Sequence, residues 1–133
     1  MTRKQTLSVA VLALLGCSVP QDPTVREFVI HVDSVEAPAT VRFDEPLELK
    51  FYGTIGSNLC YAFDRFEGEQ SGSRLELTLW GRSEFSANES CPTAISRLEG
   101  RSFVKAAPHL HPVTVVVHQP DGSTTQLIVD VSN

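Results

Sequence analysis

What this 133-residue chain has little of narrows its chemistry before anything else does. Basic side chains are scarce: eleven lysines and arginines face sixteen acids, a formal charge of −5, and nowhere do they cluster, which argues against a nucleic-acid partner. Aromatic residues make up only 8% of the chain and include a single tryptophan. No apolar run reaches the roughly 20 residues that a bilayer-spanning helix requires. Gly-x-Ser-x-Gly, His-Glu-x-x-His, a dinucleotide fingerprint and a phosphate loop are all missing, so no enzyme signature and no cofactor is implied. Cys-x-x-Cys is missing too, which leaves thiol redox catalysis and structural zinc poorly supported. The length allows one ordinary domain, and the composition is that of a globular chain.

What is present begins with the N-terminus. Thr2-Arg3-Lys4-Gln5 is a short basic start, and Leu7 to Leu15 is apolar except for Ser8. A basic start, an apolar stretch of this length and a small residue after it make a secretory leader. Polar residues with Pro20 and Pro23 follow at once, where a buried helix would have to continue. Leu14-Leu15-Gly16-Cys17 resembles the lipobox of bacterial lipoproteins: an aliphatic residue, a small one directly before the cysteine, then the cysteine itself.

That resemblance covers the first seventeen residues. It implies a diacylglyceryl group on the Cys17 thiol, cleavage just before it, and a leader at residues 1–16. Ordinary cleavage near Gly16 or Ser18, leaving a free thiol, is the rival. Two or three acyl chains anchor stably where one is marginal. Ser18 in place of aspartate is, in that family, the pattern of outer-membrane sorting if the source is Gram-negative. Residues 17–24 would be the lipidated cysteine and a short tether. Seven residues at roughly 3.3 Å each reach little more than 20 Å, which keeps the domain at 25–133 close to the lipid. Losing Arg3 and Lys4 with the leader leaves nine basic against sixteen acidic side chains, a formal −7. Charge would not hold such a domain to anionic head groups, so the acyl chains must.

From residue 25 onward the period is two. Phe28, Ile30 and Val32 share one face; Leu47, Leu49 and Phe51 another; then come Leu75, Leu77 and Leu79, Val113, Val115 and Val117, and Leu127, Val129 and Val131. Such alternation marks strands with one buried and one wet face. Weaker strands are expected over 59–66 and 102–106. Turns are expected over 37–38, 44–46, 53–58 and 68–73, and at Gln119-Pro120-Asp121-Gly122, whose order suits a type I turn closed by a left-handed glycine. Only Ser90 to Leu98, with Ser90 as cap and Pro92 in the first turn, could hold a short helix. About seven short strands, each with an apolar face, predict an all-β antiparallel sandwich of two sheets. The pattern resembles immunoglobulin-like and fibronectin-type domains, with a small β-barrel as the alternative.

With Cys17 assigned to lipid, Cys60 and Cys91 remain in an exported chain, and a pair there reads as a disulfide; two free thiols or a metal pair are the alternatives. His109 and His111 lie two apart between Pro108 and Pro112, and could hold zinc or copper with His118 or His31 as a third ligand. Against this, flanking prolines suggest solvated loop histidines. Asp64, Glu67 and Glu69 around Gly68 could chelate calcium, though an acid-rich turn is more often merely solvated. Tyr52, Trp80, Val116 and Ile128 are apolar at outward positions, and Val116 could adjoin Ile128 on the last hairpin as part of a partner surface. Gly53 and Gly81 follow Tyr52 and Trp80 at points where strands could bend and break that parity.

Three functions are therefore weighed. The first is a membrane-anchored, non-catalytic module binding a protein or surface polymer, and it is the leading expectation. The second is a periplasmic metal-binding protein using His109 and His111. The third is an enzyme or protease-inhibitor-like module, whose exposed loop would be 37–46 or 81–90.

Overall fold

Alternating side chains force strands to pair, because only a pleated sheet gives the apolar row a dry face and the polar row a wet one. The computed structural model describes residues 22–106 and 112–133, and within them the chain is all-β, with no helix. The strands are β1 Thr24–Val29, β2 Ser34–Glu36, β3 Thr40–Arg42, β4 Pro46–Tyr52, β5 Thr54–Gly56, β6 Tyr61–Ser71, β7 Arg74–Phe85, β8 Ser96–Arg97, β9 Arg101–Ala106, β10 Val113–His118 and β11 Thr124–Ser132.

The twelve-residue β7 organises the largest sheet. One of its edges is taken by β6, from Ser71 opposite Arg74 to Tyr61 opposite Ser83. The other edge is shared end to end. β1 lies antiparallel along Trp80 to Phe85, and β10 lies parallel along Arg74 to Leu77. β11 and then β3 complete the six strands. Because β10 runs parallel to β7, and β3 parallel to β11, the sheet is mixed where an antiparallel one was expected. Alternation dictates which face is buried but is blind to the direction of the neighbour. Among the described residues no sheet closes on itself, so the barrel alternative falls.

A three-stranded antiparallel sheet, β2-β4-β9, continues into the short β5-β8 pair. The break between them falls at Gly53, where a Cβ would stand 2.5 Å from the His31 carbonyl oxygen. Across from it the chain turns on Glu99 (φ 50) and Gly100 (φ 77), closed by the Arg101 N–H donating to Leu98 O at 3.1 Å. Gly81, by contrast, does not bend its strand. β7 continues through it with its alternation kept, and the missing side chain makes room for the Phe28 ring, 2.6 Å from where a Cβ would lie.

The expected apolar rows are buried: Ile30 and Val32; Leu47, Leu49 and Phe51; Leu75, Leu77 and Leu79; Val113, Val115 and Val117; Val129 and Val131, with Phe28 and Leu127 half-buried at the ends of theirs. Phe66 joins the layers, with its ring 5.5 Å from Phe51, 4.9 Å from Phe63 and 5.3 Å from Phe103. Each such side chain contributes on the order of 1.5–3 kcal/mol by leaving water. The last hairpin turns as expected: Gly122 N–H donates to Gln119 O at 3.1 Å with Gly122 at φ 84.

Local expectations fail in three further places, the first being the turn expected over 53–58, which contains β5. Ser90 to Leu98 is not a helix; it is irregular apart from β8, Leu98 is buried, and Ile95 is 52% exposed. One buried residue gives no helical stripe to pack. The turn expected over 68–73 is only Gly72-Ser73. Gly68 is an exposed strand residue, where a Cβ would stand 3.0 Å from the Leu77 side chain.

Candidate functional site

Thr24 pairs with Phe85 and Val25 with Glu84, which brings the chain into the fold at the far end of β7. On the core side of that end, Phe28, Tyr61 and Phe85 meet edge to face, with Phe28–Tyr61 centroids at 5.8 Å and Tyr61–Phe85 at 5.6 Å. With Thr24, Arg26, Glu27 and Ser83 they line an open cleft of about 590 Å3. A second cleft, of about 450 Å3, adjoins Pro23, Leu59, Cys60, Arg82 and Glu84. Three apolar side chains of this pole stay open to solvent: Val25, Leu59 and Phe85.

The pole is held by the Cys60–Cys91 disulfide, whose Cα atoms are 5.5 Å apart. Leu59 N–H donates to Pro92 O and Glu84 N–H to Cys60 O, each at 3.0 Å. The irregular segment after β7 is thereby clamped to the start of β6. In the sequence this pair is the expected one only once Cys17 is set aside for lipid. Phe85 and Val25 carry no such signal, because their proximity depends on the β1–β7 register.

On the outward side of the same strands sits a charged cluster. Arg65 Nη1 donates to Glu27 at 2.8 Å and also to Asp64, while Nη2 lies 3.9 Å from Glu67. Its guanidinium carbon stands 5.2 Å from the centre of the Trp80 ring, within cation–π range. The hydrogen bonds that Arg65 donates to Asp64 and then Glu27 push its already high pKa up. Trp80 Nε1 is buried without a hydrogen-bond partner.

Asp64, Glu67 and Glu69 thus belong to a strand, with Asp64 at its bulge, and Arg65 engages the first two. They form no calcium loop. His31 pairs with Asp33 at 3.5 Å and His118 with Glu76 at 3.4 Å. Among the described residues, no three histidine, cysteine, aspartate or glutamate side chains converge to hold a metal. Cys17, His109 and His111 lie outside the described residues.

The outward apolar residues do not make one patch. Val116 is fully buried and sits opposite Gln126, whereas Ile128, 65% exposed, sits opposite Thr114. Tyr52 donates its hydroxyl to Glu36 at 3.0 Å, and that hydrogen bond pushes its pKa up. Neither proposed inhibitory loop is free-standing. Segment 37–46 contains β3, tied to β11, and segment 81–90 is strand as far as Phe85. No family model matches the chain, and no curated protein or solved structure matches it either.

Proposed function

We propose that the chain is a bacterial lipoprotein, held in the cell envelope by acyl chains on Cys17. Its domain is an immunoglobulin-like two-sheet sandwich acting as a non-catalytic module that binds a protein or a surface polymer. The observation that carries this reading is the lipobox cysteine at the end of a secretory leader, seven residues ahead of β1 at Thr24. A disulfide suits an exported, oxidised domain. The sandwich is supported by the aromatic bridge through Phe66, which makes one core of the two larger sheets. Binding is favoured over catalysis by the way polar groups pair off at the surface: Arg65 with Glu27, His118 with Glu76, Tyr52 with Glu36.

Palmitate labelling of the expressed chain tests the anchor. The label is expected on the wild type and lost in Cys17→Ser; label that persists in the variant overturns the assignment. A pull-down from native membranes with the lipidated protein, against Cys17→Ser as control, tests the binding role. A stoichiometric partner is expected, and no enrichment with either form would remove that role.

A further inference from the structure

Both ends of β7 carry exposed apolar side chains, Ile128 lying opposite Thr114 beside Arg74 at one of them, but the ends differ in their distance from the entering chain. At one end is the Gly72-Ser73 turn, and at the other Thr24 enters opposite Phe85. Around that entry Val25 is 52% exposed, Leu59 50% and Phe85 38%. They come from three separate segments at the same end of the sheet: Phe85, opposite Thr24, on the core side of β7, Val25, opposite Glu84, on its outward side, and Leu59 next to the disulfide. The charges around them are of both signs, Arg26 and Arg82 against Glu27, Glu84 and Glu89, so the pole carries no strong field.

We propose that this pole is the face the domain lays on the phospholipid bilayer, with Val25, Leu59 and Phe85 entering the head-group region. The proposal rests on acylation of Cys17. From Cys17 to Thr24 a fully extended chain reaches at most about 25 Å. The twelve residues of β7 span roughly 36 Å at the usual strand rise. The Gly72 end therefore cannot be turned to the lipid, since Thr24 would then stand farther out than its tether allows. Within the arc that remains, contact through the pole removes three apolar side chains from water. The acidic domain has no electrostatic attraction to put in its place. Tethering makes the contact intramolecular, so an interface too small to recruit the free domain is occupied once the anchor is in place.

The test uses the lipidated chain in phosphatidylethanolamine–phosphatidylglycerol vesicles containing a lipid with a nitroxide at the top of the acyl chain. Amide resonances of 25, 59, 60, 84 and 85 are expected to broaden strongly, and those of Gly72 and Ser73 to be spared. The double variant V25D/L59D, altered only at exposed positions, is expected to stay in the vesicle fraction through Cys17 but to lose the broadening at 59 and 85. A vesicle-bound wild type with uniform broadening, or with its maximum elsewhere, overturns the contact and leaves the anchor standing. A wild type that stays out of the vesicle fraction, or a Cys17→Ser form that partitions equally, overturns the anchor and the contact with it.

Discussion

The side-chain amide of Gln119 pairs with both backbone groups of Val32. Its Oε1 accepts the Val32 N–H at 3.0 Å, and its Nε2 donates to Val32 O at 2.9 Å and to Thr125 Oγ1 at 3.0 Å. Gln119 follows the end of β10, and Val32 lies where the chain has left β1, at the point where these two strands meet along one edge of β7. One glutamine thus stands in for a missing ladder pair in a buried gap.

Gln119→Ala is expected to leave two buried backbone groups unpaired, at a cost of about 2–4 kcal/mol. In a domain of this size that lowers the melting temperature by roughly 10–20 °C. Gln119→Glu gives the sharper test. Its carboxylate can accept from Val32 N–H but faces Val32 O, to which only the protonated acid can donate. Its folded-state pKa would be raised, so its stabilisation is present at low pH and lost as pH rises through that value. Urea midpoints across pH check this: the Gln119→Glu deficit should shrink toward about pH 4, and a deficit independent of pH would refute the pairing.

Glu99 holds φ 50 next to Gly100 at φ 77, the two left-handed residues of a tight turn. A glutamate gains nothing there, while asparagine tolerates that conformation. Glu99→Asn is expected to stabilise by about 0.5–1 kcal/mol. Gly100→Ala should destabilise, because its Cβ would lie 3.3 Å from the Tyr52 hydroxyl on a backbone already unfavourable to it. Thermal unfolding of the two variants should move in opposite directions.

The buried rows were legible because each is a local alternation: Leu75, Leu77 and Leu79 could hardly face anywhere but the core. Val116 shows where that logic stops. It sits at an outward position on a strand flanked by β7 and β11, and is fully buried nonetheless. Alternation assumes one wet face and cannot report a strand covered on both. The three-residue strands β2, β3 and β5 are too short to alternate at all. Leu59 reads as the start of a weak strand, and Phe85 as part of the exposed segment 81–90. What places both at one end of the sheet is the β1–β7 and β6–β7 registers, which no spacing in sequence encodes.

Cys60 and Cys91 close a loop 31 residues long. Loop-closure entropy of that size is worth roughly 3–4 kcal/mol, a large share of the net stability of a small domain. The double variant Cys60→Ser/Cys91→Ser is expected to lose about that much in urea unfolding. Since Leu59 N–H to Pro92 O and the bridge itself tie the segment after β7 to the pole, amides 91–95 should lose hydrogen-exchange protection before those of β10. Equal loss in both regions would mean that the disulfide acts on the whole domain at once.

Asp121 sits in the final hairpin turn, where its Oδ1 accepts from the Ser123 hydroxyl at 2.6 Å and from the Ser123 N–H at 3.0 Å. The hydroxyl contact, followed by the backbone one, holds the Asp121 carboxyl below its usual value of 3.8. A carboxyl with a depressed folded-state pKa contributes stability that is complete above its unfolded value and is lost as pH falls through the folded one. Stability should therefore decline on the acid side between about pH 5 and pH 2, in part through this one group. Asp121→Asn keeps an acceptor for the Ser123 N–H but cannot titrate. It should be slightly less stable than wild type at neutral pH and should show a shallower acid limb, the two curves converging as Asp121 becomes protonated. Parallel curves over that range would place the acid sensitivity in other carboxylates.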